Sequence, residues 1–403
     1  MQTNTAQVND NFLERFGTSN WFERSRPAFN EDGSEAFRTA SGELIEGIYL
    51  SMPNDLYHSL PALSSSGMKK FVESPALYAR EYLSNVSRKR TLQLKRTLDA
   101  GTYGHELCLE EEGFYDRYFR DVVPADFPEA LHTTSDIEKA LVAAGLTANE
   151  SKDEKLARLV SANPSVDTSK LKTIKDIDAE LENAGLSKSE SKADKAKRLA
   201  KVVSHIQVFD VLFEENRLKH GQPETAVVNG ETVTLYGGKL PIDGIVYDDA
   251  HRVKASVRGH SQANAILTNG MPEVAIIAKC PITDLWLKVK FDWLRFDDDA
   301  ADVKTTLSTK PEDFKRQIKK LHYDIQLSFY AYVAELVGIF IGQFSLVAVE
   351  YVNADICQPY ELQPKTRIAA NKALKKAFKE FVECKKTNNW WGWSKEDCVI
   401  VLE

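Results

Sequence analysis

The sequence has no pair of cysteines spaced to share a metal. Its five cysteines, Cys108, Cys280, Cys357, Cys384 and Cys398, stand singly. That pattern argues against a zinc finger, an iron–sulfur cluster or a disulfide framework, and it fits a reducing cytosol. Nor does any apolar run approach the roughly 18–20 residues that a membrane crossing needs, so no membrane partner is expected. The opening stretch "MQTNTAQVNDNFLERFGTSNW" lacks a basic start followed by a greasy segment, so no secretory leader is expected and a cytoplasmic home is. A nucleotide-binding glycine loop is also missing, which counts against a small-molecule enzyme built on one.

What is present is ordinary globular composition, 43% hydrophobic and 28% charged over 403 residues, with a net charge of −7. The charge is segregated. Acids gather at "LEEEG" (109–113) and "FDDDAAD" (296–302), and bases at "SRKRTLQLKRT" (87–97), "FKRQIKK" (314–320) and "KTRIAANKALKKAFKEF" (365–381). Acidic spots for a metal beside basic stripes for phosphate would give this pattern, and so would solvated faces.

Four segments follow from the patterning. Residues 1–45 are polar and rich in turn formers, and are expected to be a flexible lead-in. Residues 46–130 open with "LSSSGMKKFVESPALYAREYLS", a helix capped by Ser65 or Ser66 and a second restarting at Pro75. A third helix is expected to begin near Gly101, with His105 in its first turns. Residues 131–205 repeat at a constant offset of 40: "SDIEKALVAAGLTANESKDEKLARLVSA" aligns with "KDIDAELENAGLSKSESKADKAKRLAKV". Each copy is expected to fold as helix, glycine stop, extended stretch and helix around its own small leucine core. The two copies resemble the SAP or helix–extended-loop–helix class, whose second helix tends to face nucleic acid. Lys152, Lys155 and Arg158, like Lys192, Lys195 and Arg198, recur at spacing three and would share one helix face. With 13 basic against 12 acidic residues in this segment, DNA contact and a docking role stay open.

Residues 206–403 begin with a hairpin turning at Asn229-Gly230 and a helical stretch ending near Gly270. The period then changes to two: strands are expected at 273–280, 284–296, 300–306 and 342–352, with helices over 311–338 and 365–386. Strand, strand, strand, helix, strand defines an α/β core. The C-terminal "NNWWGW" is expected to be a lid on that core, with a subunit contact as the alternative.

The chemistry sits in the strands. Alternation places Asp302 and Lys304 on one face, with Val303 turned into the core. Asp292 lies ten residues earlier, at a position where two adjacent strands would bring the acids together. Glu273 opens the preceding strand and can reach the same end. Three carboxylates and a lysine at one sheet edge suit a hard divalent cation, which would polarise a phosphate and activate water. Lys304 could orient that water and offset developing charge.

The ordered set "EVAIIAKC…KVKFDWLRF…ADVKTT…HYDIQLSFY" resembles the PD-(D/E)xK (restriction-endonuclease-like, RecB-family) nuclease core, a mixed sheet flanked by helices. Here that core would carry a small all-α insertion. More closely, it is similar to the exonuclease VIII (RecE)-like nucleases of phages and prophages. "GIYLSMPNDLYHSLPALSSSGMKKFVESPALY" (47–78) and "TLDAGTYGHELCLE" (97–110) carry the likeness further. The sequence departs from the family in lacking an arginine and proline near the aspartate of "KFDW". A Mg²⁺-dependent, or Mn²⁺-dependent, double-strand exonuclease is implied, one that degrades the 5′-ended strand. The 3′ strand would pass to a RecT-like single-strand annealing recombinase, and a ring-shaped homotetramer in a bacterial host cytoplasm is implied with it. By the same resemblance His105, Glu273, Asp292 and Asp302 become metal-site residues, Lys304 the catalytic lysine, and Gln326 and Tyr330 a pair on one helix face that positions substrate or water.

Backbone contacts to DNA would fall to the basic stretches, with Arg88, Arg90 and Arg96 before the His105 helix and Lys315, Arg316 and Lys319 before Gln326. Ser66 would help at a helix start offering N–H groups to phosphate. A structure-specific endonuclease, or a non-catalytic recombination accessory that uses the repeats, are the alternatives.

Overall fold

A computed structural model describes residues 18–84, 92–228, 231–396 and 399. The chain divides into two compact units, one formed by residues 1–114 with 246–403 and the other by residues 115–245. The inserted unit is therefore wider than the 131–205 expected from the repeats. It also recruits a helix at Phe209–Leu218, the Pro223–Val228/Glu231–Tyr236 hairpin, and a short parallel pair, Tyr118–Arg120 with Leu240–Ile242. The expected Asn229-Gly230 turn lies outside the described residues.

The larger unit is built on an eight-stranded mixed sheet. Its strands are β1 (Arg26–Pro27), β2 (Gly47–Leu50), β3 (Leu63–Ser64), β4 (Gly270–Lys279), β5 (Trp286–Arg295), β6 (Ala300–Thr306), β7 (Phe344–Glu350) and β8 (Ile356–Glu361). The order is β1-β2-β4-β5-β6-β7-β8, with β3 added beside β5. β4, β5 and β6 form an antiparallel meander. β6 and β7 are parallel, and the crossover between them carries α4 (Pro311–Lys320) and α5 (Tyr323–Leu336). Central strands read as near-continuous apolar runs because both faces are covered: every residue of β7 is buried. The flanking helices are α1 (Ser65–Glu73), α2 (Leu92–Leu109), α3 (Gly244–Gly259), α5 and α6 (Pro364–Thr387).

Four expectations need correction. Residues 18–45 are packed: Trp21 and Phe37 are fully buried, and two turns closed at Gly33 and Gly42, both at positive φ, fold the segment back on itself. The turn formers that suggested a loose lead-in are what close those turns. α1 is capped one residue early, by Ser64, whose Oγ accepts the Gly67 N–H at 3.2 Å. α2 begins at Leu92, so His105 lies in its C-terminal half. The glycines mistaken for its start are there for close approach: a Cβ at Gly101 would stand 2.6 Å from Thr305 Oγ1, and one at Gly104 2.9 Å from Val253. Edge strand β8 has no counterpart in the expected strands. The "NNWWGW" segment packs as expected, with Trp390 and Trp391 against the main core and Trp393 exposed.

In the inserted unit the repeats interlock. Each first helix (Thr134–Ala143, Ile174–Asn183) and each second helix (Lys152–Ala162, Lys192–Ala200) starts at a threonine or serine cap and the first helices stop at a positive-φ glycine, Gly145 or Gly185. The cores, however, form across the copies. Ile137 and Leu141 pack with Leu199, while Ile177 and Leu181 pack with Leu159, so each cluster is the other with the copies exchanged. A single copy would leave both its helices without their apolar partners.

Candidate active site

Strand register brings three carboxylates into one row. β4 and β5 pair Pro272 with Trp293 and Val274 with Phe291, which sets Glu273 opposite Asp292. β5 and β6 pair Ala301 with Trp293, and the ladder ends there, with Asp292 and Asp302 next in line. Asp292 Oδ2 then accepts the Val303 N–H at 3.0 Å, supplying the bond the ladder no longer makes. Glu273 sits at φ +54°, a left-handed conformation that costs a non-glycine residue about 1–3 kcal/mol, as backbone at functional sites often does.

His105, from α2, brings Nε2 to 2.7 Å from Asp292 Oδ2. Burial opposes the imidazolium, but the Asp292 carboxylate outweighs it and lifts His105 to about 9. Burial would likewise raise Asp292; His105 and Lys304 win and hold it well below the usual carboxylate range. For Asp302, 2% exposed, burial and the adjacent Asp292 charge push the carboxyl up to about 7. Lys304 Nζ lies 2.6 Å from both Asp302 oxygens. Gln326 donates Nε2 to Asp302 Oδ2 at 3.0 Å and accepts Lys69 Nζ at 2.8 Å on its oxygen.

The donor set fits a divalent metal. One ring nitrogen of His105 and one oxygen each from Glu273 and Asp292 lie within 4.8 Å of one another. Two hard oxygens and one imidazole suit Mg²⁺ and, with the nitrogen, Mn²⁺ somewhat better. A cation would also offset the repulsion that now drives Asp302 toward its neutral form. Asp302, expected as a ligand, stands outside this three-atom group because Lys304 and Gln326 occupy its oxygens. Tyr330 is a wall residue: its hydroxyl donates to the Lys290 carbonyl at 2.9 Å and its ring packs 4.9 Å from Phe291.

Three lysines were not anticipated. Lys290 Nζ pairs with Glu273 at 2.5 Å and with Asn54 Oδ1 at 2.7 Å. Lys288 is buried under Tyr57 and donates to the Tyr57, His58 and Leu60 carbonyls at 2.8–2.9 Å. The alternation in "KVKFD" already places both on Asp292's face. Lys69 and Lys304 each stand 5.3 Å from the Tyr323 ring, and burial together with the Lys304 charge brings Lys69 down to about 8. Nothing in the doublet Lys69-Lys70 tells which lysine points inward.

Among the expected DNA contacts, Ser66, Lys315, Arg316 and Lys319 are exposed. Arg316 and Lys320 line a cavity of about 870 Å³ that reaches Lys304 and His105. Arg88 and Arg90 lie outside the described residues, as does the Arg96 side chain. The repeat basics do not form an open stripe. Lys155 pairs with Asp178 and Lys195 with Glu138, both at 2.7 Å, across the copies. Arg158 and Arg198 clamp Glu150 and Glu190 and reach the Ser187 and Thr147 carbonyls of the other copy. Lys152 and Lys192 bond the Lys172 and His132 carbonyls. Their spacing serves the interlock, which a reading of one copy could not show.

A mixed sheet with Asp292 and Asp302-x-Lys304 on adjacent strands defines the PD-(D/E)xK nuclease fold. A family profile described as a PDDEXK-like domain of unknown function (DUF3799) matches residues 169–399, more than half of the chain, and the protein belongs to that family. The matched span holds Glu273, Asp292, Asp302, Lys304 and Gln326, whereas Lys69 and His105 precede it. Among solved structures, the chain is similar to a provisionally assigned exonuclease from Eubacterium rectale, with 12% identity, a TM-score of 0.31, and coverage of 69% of this chain and 91% of that one. No curated protein matches.

Proposed function

We propose that the protein is a metal-dependent deoxyribonuclease that degrades duplex DNA from its ends, removing the 5′-ended strand. The observation that carries this reading is the joint geometry of one row: three ligand atoms of His105, Glu273 and Asp292 within 4.8 Å, beside the Asp302–Lys304 pair at 2.6 Å. A Mg²⁺ or Mn²⁺ ion bound there would supply Lewis acidity toward the phosphate and toward water. The residues do the rest. Lys304 presents a fixed ammonium to the negative charge that develops on the phosphorus oxygens. Asp302 holds that ammonium in place, and Gln326 and Lys69 hold Asp302. Ser66 and the exposed face of α4 are suited to backbone phosphates of the bound strand. The 5′ polarity, a ring-shaped tetramer and delivery of the 3′ strand to an annealing recombinase belong to the same reading and rest on the resemblance to RecE-like enzymes.

The test is digestion of linear duplex labelled at one 5′ or 3′ end, with closed circular DNA alongside, for wild type and Lys304→Ala in Mg²⁺ and in EDTA. Mononucleotides released from 5′ ends of linear DNA only, and lost in EDTA and in the variant, are the expected result. Cutting of the circle would replace the exonuclease with an endonuclease; no cutting with DNA still bound would leave a binding accessory.

A further inference from the structure

Helix α6 carries a charge pattern that neither the active site nor the fold explains. Its 24 residues hold eight cations and two acids, a net +6 in a chain whose net charge is −7. Lys365, Lys372, Lys379 and Lys386 recur every seven residues, and such a row drifts only about 20° around a helix at each interval. It runs along the face opposite Leu374, Phe378, Phe381 and Cys384, which are buried in the main core. All four lysines are exposed, and none has an ion-pair or hydrogen-bond partner among the described residues. Lys375 and Lys376 widen the row. The two acids of the helix are engaged, Glu380 by Lys376 at 3.6 Å and Glu383 by Lys395 at 2.7 Å, so they leave the row uncompensated.

This arrangement costs the fold. A solvated helix face gains from mixed signs, whereas Lys372, Lys375, Lys376 and Lys379 meet as like charges at spacings of three and four. Lys365 stands in the first turn, which contains no acid, at the positive end of the helix dipole. None of these lysines lines the cavity at Lys304. The missing counter-charge lies outside the chain, and its shape follows from the row. Lys365 and Lys386 are about 31 Å apart at 1.5 Å per residue, the length of about nine base pairs. A small phosphate needs donors that converge on one point; a line of ammonium groups suits a line of phosphates. The face presents no aromatic side chain on which an unpaired base could stack, as a single-strand surface does. Duplex DNA, with a persistence length of about 150 base pairs, is straight over the whole row.

From this arrangement we infer that the outer face of α6 is a docking surface for duplex DNA, which contacts the phosphate backbone and reads no sequence. It stands apart from the active site: α6 packs by its other face on α1 and α5, the helices that carry Lys69 and Gln326. Its role is to hold duplex that is not being cut. The inference rests on the nuclease reading for the choice of DNA among polyanions, but the binding it asserts is independent of cleavage.

The experiment is fluorescence anisotropy of a fluorescein-labelled 30-base-pair duplex with the full-length protein in EDTA, over a series of salt concentrations. Wild type is compared with Lys372→Gln/Lys379→Gln/Lys386→Gln. The control is Lys139→Gln/Lys175→Gln/Lys201→Gln, the same charge change at exposed lysines of the inserted unit. Glutamine matches lysine in helix propensity, so circular dichroism should report an unchanged fold. The row variant should bind about tenfold or more weakly, equally for A·T-rich and G·C-rich duplexes. Its plot of log affinity against log salt should be shallower by about 3, one for each lost phosphate contact. The control should lose about threefold or less. Equal losses in the two variants would reduce the effect to general electrostatics and overturn the surface. Duplex binding left intact in the row variant, with affinity for poly-L-glutamate lost, would assign the face to an acidic protein and overturn it too. Row-dependent binding in a protein that cuts no DNA would overturn the nuclease reading and keep the surface. An active nuclease whose row variant binds duplex as wild type does would do the reverse.

Discussion

Gln326 joins two opposite charges: its amide nitrogen donates to Asp302 Oδ2 at 3.0 Å while its amide oxygen accepts from Lys69 Nζ at 2.8 Å. An amide can do both, whereas a carboxylate here would face Asp302 with like charge. The residue is 5% exposed, so neither bond is shared with bulk water. The pair of bonds therefore ties Asp302, already paired with Lys304, to Lys69 as well.

Gln326→Glu should accordingly be more damaging than its near-identical size suggests. Turnover is expected to fall about 10²-fold, because a displaced Asp302 moves Lys304 with it and small misplacements are costly. Gln326→Ala should lose less, about tenfold, since it removes support without adding repulsion. Steady-state rates for the two variants on one linear duplex test the order, and a milder effect for the glutamate would refute the account.

Metal binding should be readable without any substrate. If His105, Glu273 and Asp292 hold the ion, saturating Mn²⁺ at about 100 times its dissociation constant stabilises the fold by about 2.7 kcal/mol. Thermal denaturation with and without Mn²⁺ should show that shift in wild type and its loss in Asp292→Asn and Glu273→Gln. Lys304→Ala should keep the shift while losing activity by about 10²–10⁴-fold. A Mn²⁺ shift unaffected by Asp292→Asn would place the ion elsewhere.

The interlocked repeats predict an uneven response to single substitutions. Arg198→Ala leaves Glu190, whose side chain is 5% exposed, without its guanidinium, a loss of about 3–5 kcal/mol for a broken buried pair. Replacing both partners, Arg198→Met with Glu190→Met, should recover part of it. Urea denaturation of the full chain, followed through the helical signal, reports the sequence of stabilities. An Arg198→Ala variant as stable as wild type would mean the cross-copy bonds contribute nothing.

How far the sequence carries differs between these parts. β6 was legible to the residue, because "AADVKTT" sets Asp302 and Lys304 on one face of a strand with Val303 on the other, and the register of the acids followed from strand order. The alternation in "KVKFD" also held Lys290 beside Glu273, though a lysine there reads most simply as a solvated face. Lys69 and its bond to Gln326 were not legible: the two residues are 257 positions apart, and which of two adjacent lysines turns inward is set by the packing of α1 on α5. The repeat offset of 40 was plain, but a period says nothing about whether helices pair within a copy or across copies. Ile137 and Leu199 meet for tertiary reasons, and so the basic trios looked free when they were not.

Asp299 offers a test of the site's support at moderate pH. Its Oδ1 accepts the Gln343 N–H at 2.8 Å, tying the start of β6 to the start of β7, yet burial and, against that hydrogen bond, the neighbouring Asp297 charge push the carboxyl up to about 6. In the unfolded chain it titrates near 4, so between those values the native state binds the extra proton. Stability from this group is thus fully present below about pH 4 and is lost as pH rises through about 6. Asp299→Asn keeps an oxygen for Gln343 and removes the charge. It should raise stability at pH 7.5 by about 1–2 kcal/mol, allowing for partial solvent screening, and leave it unchanged at pH 3.5. Melting temperatures of wild type and variant across pH 3.5–7.5 should therefore diverge as pH rises; curves that stay parallel would show that Asp299 ionises in the fold as it does in water.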